Sequence, residues 1–210
     1  MITFGEKINN IAKILDVDNE KEVYYKLISY WNRNPSKYLN NKLELRNIID
    51  ELWDIELPAA ENMMNIDKLT YLPDDILVKV DRASMYYSLE TRVPFLDKRI
   101  IKLSNSIPLE YKISKNKGKV LLKDILKKYL PDQYLKQTKK GFAVPISSWL
   151  RGPLKEWADS LLNKSDIINQ NYFDYNIIKK KWDEHQSSNY NNQYELWSIL
   201  MFQSWLSKNK

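Results

Sequence analysis

The sequence predicts a mainly α-helical fold with little sheet, and three observations support this. Apolar residues recur at spacings of three and four along most of the chain, the signature of amphipathic helices. Glycine is scarce: there are four in 210 residues, where average usage would give about fifteen. Hairpin turns draw on glycine for positive φ, so few of them are expected. Hydrophobic residues make up 43% of the chain, with seven Trp and fourteen Tyr, and a chain of this length can bury one sizeable core.

The chain opens with two helical stripes. Ile8, Ile11, Ala12 and Leu15 share one helical face, and Val23, Tyr24, Leu27, Ile28 and Trp31 share another. Residues 32–41 are polar and contain Pro35, which reads as a loop. Leu43 to Trp53 predicts a third helix, and Pro58 interrupts the stretch after it. Ile76, Leu77, Val80, Ala83 and Tyr87 form the next stripe. Pro73 suits a first helical turn, where Asp74 and Asp75 would meet the positive end of the helix dipole. The residue before a proline avoids the α region, so this helix ends before Val93. If Glu90–Pro94 is extended, Glu90 and Arg92 point to the same side. Helical patterns resume at Leu96–Leu103, Val120–Leu130, Leu154–Leu162, Ile177–Trp182 and Tyr194–Leu206, with Gly152-Pro153 as a helix start. With no repeat and no low-complexity stretch, the expectation is one mainly helical unit without an internal boundary.

Composition excludes several chemistries. There is no cysteine, which removes disulfides, thiolate nucleophiles and thiolate metal sites. His185 is the single histidine, so a catalytic triad or a di-histidine metal site cannot be built. Beside Trp182 it reads as a core or partly exposed residue, and the expectation for metal ligands is none. Gly5, Gly118, Gly141 and Gly152 lie too far apart for a glycine-rich phosphate cradle. The net charge is +6 and the pI about 9.1. Ten lysines crowd residues 112–140 against Asp124 and Asp132. Most of them read as a solvated face, a few as groups that could meet a polyphosphate, and a nucleic-acid partner is not expected. No apolar run reaches the length of a membrane span. The opening residues MITFGEKINNIAKIL lack the pattern of a secretory leader, so the expected location is cytoplasmic.

The most specific feature is Tyr71–Asp97, YLPDDILVKVDRASMYYSLETRVPFLD. It closely resembles the synthetase-domain signature of glutamine-hydrolysing asparagine synthetases, LPDD-x-L-x-K-x-DR-x-SM-x-x-SLE-x-R-x-PFLD. The likeness continues through Gly118–Leu122, Tyr129-Leu130-Pro131, Lys139–Pro145, Trp149–Gly152 and Leu196–Trp205, and is strong over residues 61–205. The family's glutaminase domain with its N-terminal cysteine, its Ser-Gly-Gly-x-Asp-Ser loop and its Gly-Glu-Gly-x-x-Asp-Glu segment do not occur in this sequence. The chain therefore resembles the C-terminal, helical portion of an α/β adenine-nucleotide α-hydrolase-like (PP-loop) synthetase domain, with the sheet and phosphate loop largely missing.

That resemblance implies a reaction. Complete members use ATP with Mg2+ to activate the aspartate side-chain carboxylate as β-aspartyl-AMP, and ammonia from glutamine then displaces AMP. It implies that Lys139 offsets charge at the α-phosphate and leaving pyrophosphate. It also implies that Glu90 orients or accepts a proton at the acyl-transfer site, with Arg92 holding Glu90. Gly141 would let the Lys139 loop turn closely and Phe142 would anchor it. Asp81 and Arg82, with Asp74 and Asp75, read as architecture: helix-end charges and buried ion pairs. The implied partner is the N-terminal half, with its glutaminase domain and phosphate loop, in the same gene or a separate chain. Self-association through uncovered apolar surface is also expected. Without that half the chain is expected neither to bind ATP nor to be active. The alternatives are a non-catalytic remnant, or a split subunit acting on another carboxylate in a β-lactam, peptide or polysaccharide context. A basic helical nucleic-acid binder is a further, weaker one.

Overall fold

The structure, a computed structural model, describes residues 12, 15, 17–31, 35–40, 47–115, 117–135, 144–188 and 190–209. Among these, helices dominate and the only sheet is one two-stranded hairpin. The contacts divide the chain into two compact units, residues 1–51 with 142–210, and residues 52–141. This corrects the expectation of a single unit. Hydrophobic periodicity reports which face of a helix is apolar and says nothing about which helices share a core.

The first unit contains α1 (Glu20–Ile28), a 3-10 turn (Pro35–Tyr38) and most of α2 (Ile48–Leu52). After a long sequence interval it resumes with α9 (Ile146–Arg151), α10 (Lys155–Leu161), α11 (Lys164–Gln170), α12 (Tyr175–Gln186) and α13 (Gln193–Lys208). Its core is contributed by all five late helices. Leu196, Ile199, Leu200 and Gln203 form the i, i+3, i+4, i+7 stripe of α13 and are all buried. They meet Ile146 and Leu150 of α9, Ala158 of α10, Ile167 of α11, and Ile178 and Trp182 of α12. Each fully buried aliphatic side chain in such a cluster contributes about 1.5–3 kcal/mol. The early segment is stitched on by main-chain bonds. Asp174 N–H donates to Tyr38 O (3.0 Å), Asn40 N–H donates to Tyr172 O (3.1 Å), and Leu39 bridges to Phe173.

The helix starts obey local capping chemistry. Asn19, Asn163 and Asp174 each accept amides of the succeeding first turn and so cap α1, α11 and α12. Gly152 closes α9 instead of opening a helix. A Cβ there would lie 3.1 Å from Ser148 O, and α10 begins only after the Pro153 turn. Helix α11 was not anticipated: its apolar residues are the adjacent Ile167 and Ile168, which make no periodic stripe.

The second unit contains α3 (Ala59–Leu69), a π-helical turn (Leu72–Leu77), α4 (Val78–Met85), a 3-10 turn (Pro94–Leu96), α5 (Lys98–Ser106), α6 (Leu109–Lys112), the hairpin β1 (Ile113–Ser114) with β2 (Lys117–Gly118), α7 (Val120–Leu126) and α8 (Asp132–Leu135). The strands are antiparallel, with Ile113 opposite Gly118 and Ser114 opposite Lys117. Asn62, almost fully buried on α3, ties down the preceding loop. Its Nδ2 donates to Asp54 O (2.7 Å) and Leu57 O (3.1 Å), and its Oδ1 accepts from Asp54 N–H (2.8 Å).

The expected helix start at Pro73 is not what forms. Helical structure runs from α3 through a break at Thr70 (φ −124°, ψ −76°) into a π turn that contains Pro73. Proline lacks an N–H and clashes with the carbonyl four residues earlier. A wider turn is one way to accommodate it inside a continuing helix. Asp74 and Asp75 consequently sit within a helical run and not at its free N-terminus.

Candidate functional site

The signature places its charged pair just beyond α4. Helix α4 ends at Met85, and the chain turns through Ser88 at φ 56°. Leu89 N–H donates back to Ser84 O (3.0 Å), closing the helix with a left-handed cap. The chain then runs without helix or strand through residues 89–92 to Val93, which is extended (φ −104°, ψ 102°), and Pro94 starts the 3-10 turn. Here the Glu90 and Arg92 side chains meet, with Arg92 Nη2 2.6 Å from Glu90 Oε1, as a shared side requires. Their side chains are 71% and 85% exposed. A pair this exposed contributes about 0–1 kcal/mol to stability, so it does not lock the fold.

Beside this pair lies an open cleft of about 670 Å³. Leu77, Val80 and Asp81 of the preceding helix form one side, and Thr91, Arg92, Val93 and Pro94 form the other. Asp97 closes its end. Asp97 caps α5 by accepting from Arg99 N–H (2.9 Å), and the Arg99 guanidinium grips the same carboxylate with two bonds of 3.0 Å. The Arg99 side-chain bond, and after it the backbone bond, hold the Asp97 carboxyl below its ordinary range. Asp97 is therefore a carboxylate committed to holding a helix end. Asp81 and Arg82 are both exposed, and neither forms an ion pair among the described residues. Asp81 instead faces the cleft. The buried ion pairs expected for them are absent because this helix packs too lightly to bury either side chain.

Lys139, Gly141 and Phe142 lie outside the described residues. Two described lysines of the second unit, Lys127 in the basic run and Lys68 on α3, are held differently. Lys127 is paired with Asp124 at 2.7 Å. Lys68 donates to Asn65 Oδ1 (3.0 Å) and Asn105 Oδ1 (2.9 Å), and burial, with the Lys112 charge beside it, lowers its pKa. Among the described residues no three acidic or histidine side chains converge as metal ligands. No pair of described glycines offers clustered amides either: Gly118 has open space at its Cβ position and Gly152 serves a helix end.

The asparagine synthase family model matches residues 4–207. The chain belongs to the asparagine synthase family. A Mycobacterium tuberculosis protein provisionally assigned as a glutamine-hydrolysing asparagine synthetase is 37% identical over 154 residues, covering 73% of this chain and 23% of that protein. Asparagine synthetase [glutamine-hydrolyzing] 1 of Bacillus subtilis is 33% identical over 175 residues, covering 82% of this chain and 27% of the relative. Amidase chry2 of Gibberella zeae is 26% identical over 121 residues, 54% of this chain and 18% of the amidase. The chain thus spans about a quarter of the length of the curated relatives it matches. No solved structure matches it significantly. Its helical make-up is that of a helical portion of the synthetase domain, and none of its described helices is long and apolar enough to cross a membrane.

This asparagine synthase family member also holds a polar clasp that sequence reasoning did not find. Arg151, in the Trp-Leu-Arg-Gly motif, donates from Nε to His185 O (2.7 Å), from Nη1 to Ser147 Oγ (2.6 Å) and from Nη2 to Tyr190 O (3.2 Å). Asn192 N–H donates to His185 Nδ1 (3.3 Å) and Gln193 Oε1 accepts from Ser147 N–H (2.9 Å). The clasp joins α9, the end of α12 and the start of α13. His185 is fully buried, and its Nε2 has no hydrogen-bond partner among the described residues. Burial, then the Arg151 charge, pushes its pKa down to about 4. A neutral imidazole is what this site accommodates. Nearby, Lys181 Nζ and Glu195 Oε2 lie 2.5 Å apart, with side chains 16% and 12% exposed. Burial lowers the Lys181 pKa, and the bond to Glu195 more than offsets this and leaves it raised. These groups come from elements scattered in sequence, so only a motif-level signal at Arg151 pointed toward them.

Proposed function

We propose that this chain is the C-terminal part of an asparagine synthetase domain and works within a larger carbon–nitrogen ligase. Residues 61–205 carry its signature region and a glutaminase domain lies elsewhere. The reaction is formation of asparagine from aspartate, ATP and a nitrogen donor, either glutamine or ammonia. The observation that supports this reading most is the Glu90–Arg92 step. It stands exposed beside an open cleft and is not consumed in packing, so its side chains are free to face a substrate held by another part of the enzyme. In this role Glu90 orients the attacking amine or takes its proton. Arg92, at 2.6 Å, sets the direction of the carboxylate. Lys139 is assigned to the phosphate side of the pocket, with Gly141 and Phe142 shaping its loop and Asp81 and Arg82 supporting the helix beside the cleft. Nucleotide and metal are held by residues outside this chain. A reading in which the acceptor is not aspartate has one observation in its favour, the match to a fungal relative named as an amidase and not as an asparagine synthetase.

The test is pyrophosphate release from ATP in the presence of aspartate. The purified 210-residue chain is expected to give no turnover. Adding the glutaminase- and phosphate-loop-bearing portion in trans is expected to restore it, because catalytic groups without a positioned substrate lose most of their effect. In the reassembled enzyme Lys139→Ala abolishes asparagine formation and Lys140→Ala is mild. Equal losses from both would replace a specific lysine with bulk loop charge. Turnover by the chain alone that disappears in Lys139→Ala would place a nucleotide site within it.

A further inference from the structure

The main chain of Glu90, Thr91 and Arg92 makes no hydrogen bond to any described residue. The stretch is nonetheless fixed at both ends: Leu89 N–H is used by the helix cap, and Val93 O accepts from Leu96 N–H (3.0 Å). Between these anchors the side chains alternate. The Glu90 and Arg92 side chains meet on one side, and the period of two of an extended chain assigns Leu89, Thr91 and Val93 to the other. Leu89 is 61% exposed and Val93 43%. The strip is flanked by the exposed rings of Tyr86, Tyr87 and Phe95. It has the alternation, the β-branched residues and the open donors and acceptors of a strand without a neighbour.

We infer that Leu89–Val93 joins, as an edge strand, a sheet in the portion of a synthetase-length protein that this chain does not span. This rests on the chain being one part of a larger ligase, and it goes further by naming the docking surface. Apolar flanks around an extended strip call for burial, but burial without partners would strand three main-chain donors and their carbonyls. A helix satisfies its own backbone groups and has none to offer, whereas a sheet edge supplies both partners at once. Among the described residues the one sheet is the hairpin β1–β2, whose strands pair with each other. The relatives are about four times longer than the stretch matched here, which leaves ample chain to supply the edge. A second copy of this chain is the weaker occupant. Two short strands pairing alone are marginal, and such a pair would leave the apolar residues of α5 and α7 uncovered.

The experiment is amide hydrogen exchange on the 210-residue chain, alone and mixed with the separately expressed glutaminase- and phosphate-loop-bearing portion of the Bacillus subtilis relative. Mixing is expected to slow exchange within residues 90–92 by about ten-fold or more. Thr91→Pro, which removes a donor from the strip, is expected to weaken the complex by about ten-fold. The wild-type exchange result decides the matter even if Thr91→Pro does not fold. A complex that leaves these amides exchanging freely overturns the strand assignment while the larger-enzyme reading stands. No complex at all overturns both. Protection that appears in the chain alone and rises with its concentration overturns the choice of occupant in favour of a second copy.

Discussion

The two units of this chain have similar helix content and opposite packing. In residues 142–210 every late helix contributes to one core, and Leu150, Ala158, Leu196, Ile199 and Leu200 are fully buried. In residues 52–141 the buried apolar side chain is Ile66, among the described residues, while Leu69, Met85, Leu89, Phe95, Leu103, Ile125 and Tyr129 stand exposed. Exposed apolar surface is present around the first helices, at Leu15, Leu27 and Ile28, as expected, and is more extensive in the signature unit. A helix with a strong apolar stripe is stable once the stripe is covered, and an uncovered stripe marks an interaction surface. The more family-specific sequence thus sits in the less self-sufficient unit, as it should if its task is completed by a partner.

The contrast between the units is tested most directly in their cores. Leu200→Ala in the first unit is expected to cost about 2–5 kcal/mol, read as a lowered denaturant midpoint. Leu103→Ala in the second unit is expected to stay within about 0.5 kcal/mol in the isolated chain. Tryptophan fluorescence reports mainly the first unit, since Trp53 is the one tryptophan of residues 52–141. Equal losses from the two substitutions would show a buried second core.

Acid should separate the units next. The folded-state pKa of His185, about 4, lies below its ordinary value of 6.5. The neutral form is therefore favoured by folding, and the unfolded chain binds the extra proton first. Stability from this group is complete above pH 6.5 and is lost as pH falls toward 4, up to about 3 kcal/mol. Unfolding monitored by tryptophan fluorescence should show this loss in the wild type and not in His185→Gln. The second unit contains no histidine, so probes placed there should not trace the same curve.

The smallest effect is expected at the helix end beside the cleft. Ser88 holds φ 56° without being glycine, and Ser88→Gly should stabilise the α4 cap by about 0.5–1 kcal/mol. Slower exchange of the Leu89 amide would check it. A loss of protection there would mean that the serine side chain contributes more than the backbone strain costs.

Much was legible in the sequence, and the reasons are local. Stripes such as Leu196, Ile199 and Leu200 gave the late helices, because a buried face imposes its period on the residues that form it. The i, i+2 spacing of Glu90 and Arg92 before Val93-Pro94 gave their shared side, because proline excludes the helix there. Glycine scarcity gave the low sheet content, but it misjudged the turns: Ser88, Lys115, Lys119, Asn171 and Ser188 take positive φ themselves. Tertiary structure alone decided the rest. Whether Pro73 opens a helix or sits in a π turn depends on what the preceding α3 does. Whether Asp81 and Arg82 are buried depends on whether anything covers their helix. The Arg151–His185 clasp and the Lys181–Glu195 pair join groups up to 39 residues apart. A sequence states which side chains an element presents, but the distance between two elements, and hence burial, pairing and pKa, is set only when they pack.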